Sequence, residues 1–73
     1  MIIQKVKQTA EKKNINQSQL SRLSNVGYTT IRRMFDDETY TPSFDVLQKI
    51  ADALEVAPLD LVEDVPDNFH EKL

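Results

Sequence analysis

Hydroxyl and guanidinium side chains are concentrated in one short stretch of this chain, and they define the chemistry available to it. In order, they are Tyr28, Thr29, Thr30, Arg32 and Arg33. Hydroxyl groups donate and accept hydrogen bonds, whereas guanidinium groups only donate and always carry positive charge. The base edges and phosphate oxygens of DNA present matching acceptors and negative charge. The stretch therefore indicates nucleic-acid recognition.

The remaining residues do not assemble a catalytic or metal-binding set. The chain has no Cys and a single His, His70, so neither a disulfide nor a thiolate or histidine metal centre is expected. The acidic residues, among them Glu38, are clustered in a loop or spread along helix faces without a nucleophile beside them. We therefore expect no enzyme activity, no cofactor and no metal.

The charges of the chain are divided between its two halves. Residues 1–35 hold seven basic residues and one acid, a charge of +6, whereas residues 36–73 hold two basic and eleven acidic residues, a charge of −9. A basic half attracts a polyanion even though the net charge is −3. The alternative, that the split is a chance property of solvated helix faces, stays open.

Length and composition indicate a single small domain. Seventy-three residues with one Gly and three Pro leave little room for β-turns and favour an all-helical chain. No apolar run approaches the roughly 20 residues of a membrane span, and residues 1–15 contain no secretory signal. A cytoplasmic protein that does not contact a membrane is therefore expected.

Apolar residues recur at spacings of three and four, which predicts five short helices. The five stripes are Ile2, Ile3, Val6 and Ala10; Leu20 and Leu23; Ile31, Met34 and Phe35; Phe44, Leu47, Ile50, Ala51 and Leu54; and Leu59, Leu61 and Val62. This pattern predicts an all-α domain over residues 1–63. Residues 64–73 form an acidic tail with a composition typical of disordered segments.

Residues with capping preferences mark the helix boundaries. Asn16 suits the N-cap of the second helix, where Gln19 can complete a capping box. Asn25 suits the turn that follows, and Gly27 can cap the third helix. Ser43 after a proline is expected to cap the fourth helix.

These motifs, taken in order, resemble the lambda-repressor-like (Cro/repressor, XRE-type) helix-turn-helix DNA-binding family over about residues 3–62. The resemblance implies that the second and third helices form the helix-turn-helix. The motifs that carry it are Gln17, Leu20-Ser21, Asn25-Val26, Thr29-Thr30-Ile31, Pro42-Ser43, Leu47, Ile50-Ala51 and Leu54-Glu55-Val56.

The resemblance also implies roles for individual residues, with a recognition helix at about 28–35 in the major groove. The expected base contacts are Tyr28, Thr29, Arg32 and Arg33. The expected contacts to the DNA backbone are Asn16, Gln17, Thr30, Thr39, Tyr40 and Thr41. The alternatives are a plain helix cap at Gln17, a solvated arginine face paired with Asp36 or Asp37, and an ordinary loop at 39–41.

The function implied is that of a sequence-specific, double-stranded DNA-binding transcriptional regulator such as a repressor. A homodimer on a near-palindromic site is expected, with exposed apolar side chains in residues 59–65 as its contact surface. One alternative is an antitoxin of the same fold whose acidic residues 60–71 bind a basic protein partner. Another is a protein-interaction module without DNA binding, which the acids Asp36, Asp37 and Glu38 after the third helix favour.

Overall fold

Four α-helices, one short 3-10 helix and a two-stranded sheet make up residues 1–67, which are the residues that this computed structural model describes. In chain order the elements are β1 (Ile2–Gln4), α1 (Val6–Lys12), α2 (Gln17–Ser24), α3 (Tyr28–Asp36), α4 (Phe44–Leu54), the 3-10 helix (Pro58–Leu61) and β2 (Val62–Asp64). Helix α2 packs against both α3 and α4, and α1 packs against the same two helices. The fold is therefore mostly helical, with a small sheet that joins the two ends of the described chain.

The prediction of an all-α chain with five α-helices is wrong at both ends of the domain. Ile2–Gln4 form an extended strand antiparallel to β2, with Ile3 opposite Glu63. The spacing of Ile2, Ile3 and Val6 fits a helical stripe, but in the strand Ile3 and Gln4 are buried and Ile2 is exposed. The expected fifth helix is a single 3-10 turn that begins at Pro58.

The helices enclose one hydrophobic core, which agrees with most of the predicted stripes. Its buried members are Val6, Ala10, Leu20, Val26, Ile31, Met34, Leu47, Ile50, Ala51, Leu54 and Leu61. Four residues of the predicted stripes are instead exposed, namely Ile2, Leu23, Phe44 and Leu59. A stripe gives the direction of a side chain but not how far the neighbouring elements extend along the helix. Ser24 is buried beside Leu20, and its hydroxyl donates to the Leu20 carbonyl over 2.6 Å.

The predicted caps are present at the helix boundaries. The Gln19 amide donates to Asn16 Oδ1 over 2.8 Å and the Asn16 amide donates to Gln19 Oε1 over 2.9 Å, which completes the capping box. Asn25 ends α2 in the left-handed conformation with a φ of 59°. Gly27 is the N-cap of α3, and Ser43 Oγ accepts from the Val46 amide at the start of α4.

The beginning of the expected tail lies against the start of the chain. Asp64 belongs to β2, and Val65 is buried with its amide donating to the Met1 carbonyl over 2.8 Å. Hydrogen bonds from the Met1 ammonium to Asp67 and Asp64 raise the pKa of the ammonium, although partial desolvation opposes the shift. The division into domain and tail at residue 64 stays a prediction, and residues 68–73, with His70, lie outside the described residues.

Candidate nucleic-acid interface

The turn between α2 and α3 is fixed by local hydrogen bonds and by one buried side chain. Left-handed Asn25 reverses the chain, and Val26 then enters the core. Ser21 Oγ on α2 donates to the Val26 carbonyl over 2.7 Å, and the Val26 amide donates to Ser24 Oγ over 3.3 Å. Because these bonds join the turn to α2, they set the direction in which α3 leaves it.

Helix α3 has one buried face and one exposed face. Ile31 and Met34 are fully buried, and Phe35 packs partly against the same core. The side chains of Thr29 and Arg32 are exposed on the other side of the helix. The buried face anchors the helix, so the exposed face is presented on a rigid support.

The other members of the expected base-reading group lie close to these residues along α3. Arg33 is exposed, and Tyr28, the first residue of the helix, is 45% exposed. Thr30 is half-buried, and its amide donates to the Gly27 carbonyl over 3.1 Å. Tyr28, Thr29, Arg32 and Arg33 therefore share one accessible helix, while Thr30 is partly withdrawn into the fold.

Arg33 stacks on an aromatic side chain from the loop that follows α3. Its guanidinium carbon lies 4.3 Å from the centre of the Tyr40 ring, within the range of a cation–π contact. Tyr40 itself packs against the hydrophobic core, and this packing fixes the position of the ring. The contact restricts the Arg33 side chain through the face of its guanidinium group and not through the hydrogen-bond donors at its edge.

Arg32 is paired with an acid one helical turn further along α3. Arg32 Nε lies 3.7 Å from Asp36 Oδ2, and both side chains are about two-thirds exposed. An exposed pair at this distance contributes little stability and is screened by salt. The contact agrees with the alternative of an ion-paired arginine face, but the pair is weak enough to open for a competing phosphate or base edge.

The loop after α3 uses part of its hydrogen-bonding capacity internally. Asp37 Oδ1 accepts from the Thr39 amide over 3.0 Å and from Thr39 Oγ1 over 2.6 Å. The Tyr40 amide donates to the Asp37 carbonyl over 3.1 Å. Thr39 therefore donates its only hydroxyl proton within the loop, and as placed here it cannot also donate to a phosphate, whereas Thr41 is exposed.

The starts of α2 and α3 line the same shallow groove. Its walls include Asn16, Gln17 and Tyr28, with Lys7 from α1 beside them. The free amides at a helix N-terminus carry partial positive charge, so this groove offers an anion amide groups and the Lys7 cation, while Glu11 on the same wall opposes the anion. Lys7 is not among the residues predicted from the sequence to contact DNA, because its only signal there is a basic side chain next to the core position Val6.

Among residues 1–67 no three His, Cys, Asp or Glu side chains come together as metal ligands. Within the same residues no helix is long and apolar enough to cross a membrane. Every buried side-chain nitrogen and oxygen that the structure describes has a hydrogen-bond partner.

Comparisons with known proteins agree with this geometry. A family model described as a Cro/C1-type HTH DNA-binding domain matches residues 5–67. The crystal structure of a candidate DNA-binding protein from Bacteroides fragilis superposes with a TM-score of 0.75 at 27% sequence identity, covering 86% of this chain and 100% of that one. No curated protein matches the chain significantly. Since the family model spans most of the sequence and includes the helix-turn-helix described above, the chain belongs to the Cro/C1-type HTH DNA-binding domain family.

Proposed function

We propose that this protein binds specific sequences of duplex DNA with α3 in the major groove, and that it acts as a transcriptional regulator. The observation that carries the proposal is the exposed face of α3, where Thr29, Arg32 and Arg33 stand opposite a fully buried face. A rigid helix with outward hydroxyl and guanidinium groups fits the width and the acceptor pattern of the major groove.

The proposal divides the exposed residues into two kinds of contact. Arg32 and Arg33 can each donate two hydrogen bonds to the O6 and N7 acceptors of guanine, while Thr29 suits a thymine methyl group or a base acceptor. Gln17 and Asn16, at the start of α2, are assigned to the phosphate backbone together with Lys7 from the same groove. Base contacts specify the site, and backbone contacts set the register of the helix in the groove.

The mechanism of regulation proposed is occupancy of an operator. A recognition helix of nine residues reads only a few base pairs. Useful specificity therefore calls for two copies, and we propose a homodimer on a near-palindromic site. Repression follows when the occupied site overlaps the place where transcription begins.

Selection from a random duplex library at fixed, moderate salt tests the proposal. We expect an enriched motif, and a log affinity that falls with log salt by about 0.9 for each phosphate neutralised. Arg32→Ala should cost about 1–3 kcal/mol of binding free energy and relax one base position, whereas Gln17→Ala should weaken all sequences alike. Lys49→Ala removes a positive charge from α4 and controls for charge alone. A DNA affinity that does not change with salt concentration, or a selection that enriches no motif, would refute the proposal.

A second candidate is a protein-interaction role for the same fold. The protein would be either a module that does not bind DNA or a DNA-binding antitoxin that also binds a basic protein. The observation in its favour is the acidic end of α3, where Asp36 forms an ion pair with Arg32. The duplex selection separates a module that has lost DNA binding from both DNA-binding candidates. Co-purification with a small basic protein would identify the antitoxin.

A further inference from the structure

A buried glutamine in β1 bonds directly to the end of the recognition helix. The Gln4 side chain is only 1% exposed, and its Nε2 donates to the Met34 carbonyl over 2.7 Å and to the Asp37 carbonyl over 3.2 Å. The backbone amide of Gln4 donates to the Glu38 carbonyl over 2.9 Å. Three hydrogen bonds from one residue therefore hold the segment in which α3 ends.

The bonds from Gln4 meet a need that α3 cannot satisfy by itself. The last carbonyls of a helix have no amide one turn further along to accept from. Helix α3 ends at Asp36, and Asp37 turns into an extended conformation, so the Met34 carbonyl is left for an external donor. Gln4 Nε2 supplies that donor from a strand 30 residues away in the sequence.

Gln4 also fixes the start of α1 with the other half of its amide. Gln4 Oε1 accepts from the Val6 amide over 2.9 Å, and Val6 is the first residue of α1. A side chain at this position must donate on one side and accept on the other, which the amide of glutamine does. A carboxylate would only accept, and a hydrocarbon would do neither.

We propose that Gln4 is a positioning residue for the DNA-binding surface. The Asp37 carbonyl that it holds also accepts from the Tyr40 amide, and the Tyr40 ring in turn supports Arg33. Gln4 thus acts on Arg33 through the loop rather than by touching DNA. The consequence for DNA recognition rests on the function proposed above, whereas the consequence for the end of α3 does not.

The wild-type protein provides the first test, by NMR measurement of hydrogen exchange. The side-chain amide protons of Gln4 should exchange at least about ten times more slowly than those of Gln8 and Gln19, which lie on exposed positions. Equal rates for all three glutamines would show that the buried hydrogen bonds are not formed and would overturn the proposal.

Two variants then separate the roles of the Gln4 side chain. Gln4→Met keeps its length and removes both hydrogen-bonding functions, and the Asp37 and Tyr40 amides should exchange about ten-fold faster relative to those of α4. Ile3→Val, on the same strand, is the matched control, and it should change amide exchange equally in α4 and in the loop that holds Asp37 and Tyr40. Equal acceleration of α4 and of the loop in Gln4→Met would reduce Gln4 to a general contributor to stability.

Gln4→Glu adds a rescue that a merely structural role would not show. Its ionised carboxylate faces two carbonyl oxygens, whereas the protonated acid can again donate. Protection of the Asp37 amide should therefore recover as the pH falls, relative to the wild type over the same range. The wild-type series accounts for any pH dependence of the protection that does not come from the substituted side chain. Absence of recovery in a folded variant would contradict the donor role.

DNA binding completes the set of measurements. On the duplex selected by the wild type, Gln4→Met should lose affinity about ten-fold more than Ile3→Val and should discriminate less between the selected site and its single-base variants. Unchanged discrimination with a loosened loop would overturn the positioning role. If the wild type binds no duplex, the proposed function fails, and the exchange experiments still decide whether Gln4 holds the end of α3.

Discussion

The stacking of Arg33 on Tyr40 bears on the entropy of DNA binding. A long arginine side chain loses rotamer freedom when it is fixed against a base or phosphate, which lowers its affinity. The Tyr40 ring, 4.3 Å from the guanidinium carbon and packed on the core, restricts Arg33 before binding. The ring contacts the planar face of the guanidinium and leaves its edge donors pointing away from the ring. We therefore expect Arg33 to lose little rotamer freedom on binding.

Substitutions at Tyr40 distinguish its ring from its hydroxyl group. Tyr40→Leu removes the aromatic face and should weaken binding to the selected duplex by about 0.5–1 kcal/mol, the size of an exposed cation–π contact. Tyr40→Phe keeps the ring and should bind like the wild type. Fluorescence anisotropy with labelled duplex measures both affinities. Equal losses in the two variants would assign Tyr40 to a phosphate contact through its hydroxyl instead.

Asp36 opposes the DNA contact that Arg32 is expected to make. The carboxylate lies 3.7 Å from Arg32 Nε and would stand near phosphates if α3 enters the groove. Asp36→Asn should tighten duplex binding by a few tenths to about 1 kcal/mol, mostly at low salt, without a change of preferred sequence. Asp37→Asn removes the neighbouring negative charge for comparison, and its asparagine oxygen can still accept from the Thr39 amide. Weaker or blurred recognition in Asp36→Asn would instead mean that the acid orients Arg32.

At the scale of elements, the sequence predicts α2, α3 and the start of α4 because their boundary signals are local. The capping box of Asn16 and Gln19 lies within four residues, and the turn conformation of Asn25 is an intrinsic preference of asparagine. The placement of Ile31 and Met34 follows from helical periodicity alone. For the same reason the exposed side of α3 could be assigned from the sequence.

The features that escaped prediction depend on contacts between distant parts of the chain. Strand β1 exists because Ile2–Gln4 pair with residues about 60 positions away, and a three-residue strand has no period of its own. In the helix predicted for this segment, Gln4 lies off the apolar stripe and would be exposed, whereas in the strand it is buried. The stacking of Arg33 on Tyr40 likewise depends on how the loop folds back over α3, which no spacing reveals.

The two helix caps of α2 and α4 provide a matched prediction. Asn16→Ala and Ser43→Ala each remove a side-chain cap and should each cost about 1 kcal/mol of unfolding free energy. Urea denaturation measures this loss. Only Asn16 lies in the groove with Gln17 and Tyr28, so only Asn16→Ala should also weaken DNA binding at temperatures where both variants are folded. A similar affinity loss in both variants would place no DNA contact at Asn16.

At the scale of the whole molecule, the charges are divided along the sequence between a basic first half and an acidic second half. The cations of α1, α2 and α3 come from residues 1–35, which carry +6, whereas residues 36–73 carry −9. We expect the acids that lie outside α3 to favour an orientation in which α2 and α3 approach a polyanion first. Strand pairing of β1 with β2 brings the start of the basic half against this acidic segment, as the Met1 contacts to Asp64 and Asp67 show.

The predicted dimer contact surface at residues 59–65 includes fewer exposed apolar side chains than the sequence indicates. Within residues 59–65, Leu61 and Val65 are buried in the monomer, so they cannot also supply an exposed contact surface. Leu59 is 79% exposed at the 3-10 helix and is the large apolar side chain that this segment leaves accessible. In a symmetric dimer the same residue contributes from both copies, which doubles its effect.

We therefore expect Leu59→Ser to weaken assembly on a near-palindromic duplex whose half-site centres lie about one helical turn, roughly 34 Å, apart. Burial of a leucine in an interface is worth about 1.5–3 kcal/mol, and an exposed residue can be replaced without harm to the core. Leu23→Ser, which changes a leucine of α2 that is 61% exposed, is the matched control. Sedimentation velocity with and without the duplex reports the stoichiometry. A wild-type monomer both free and on DNA would exclude the dimer, and a loss confined to Leu23→Ser would move its interface to α2.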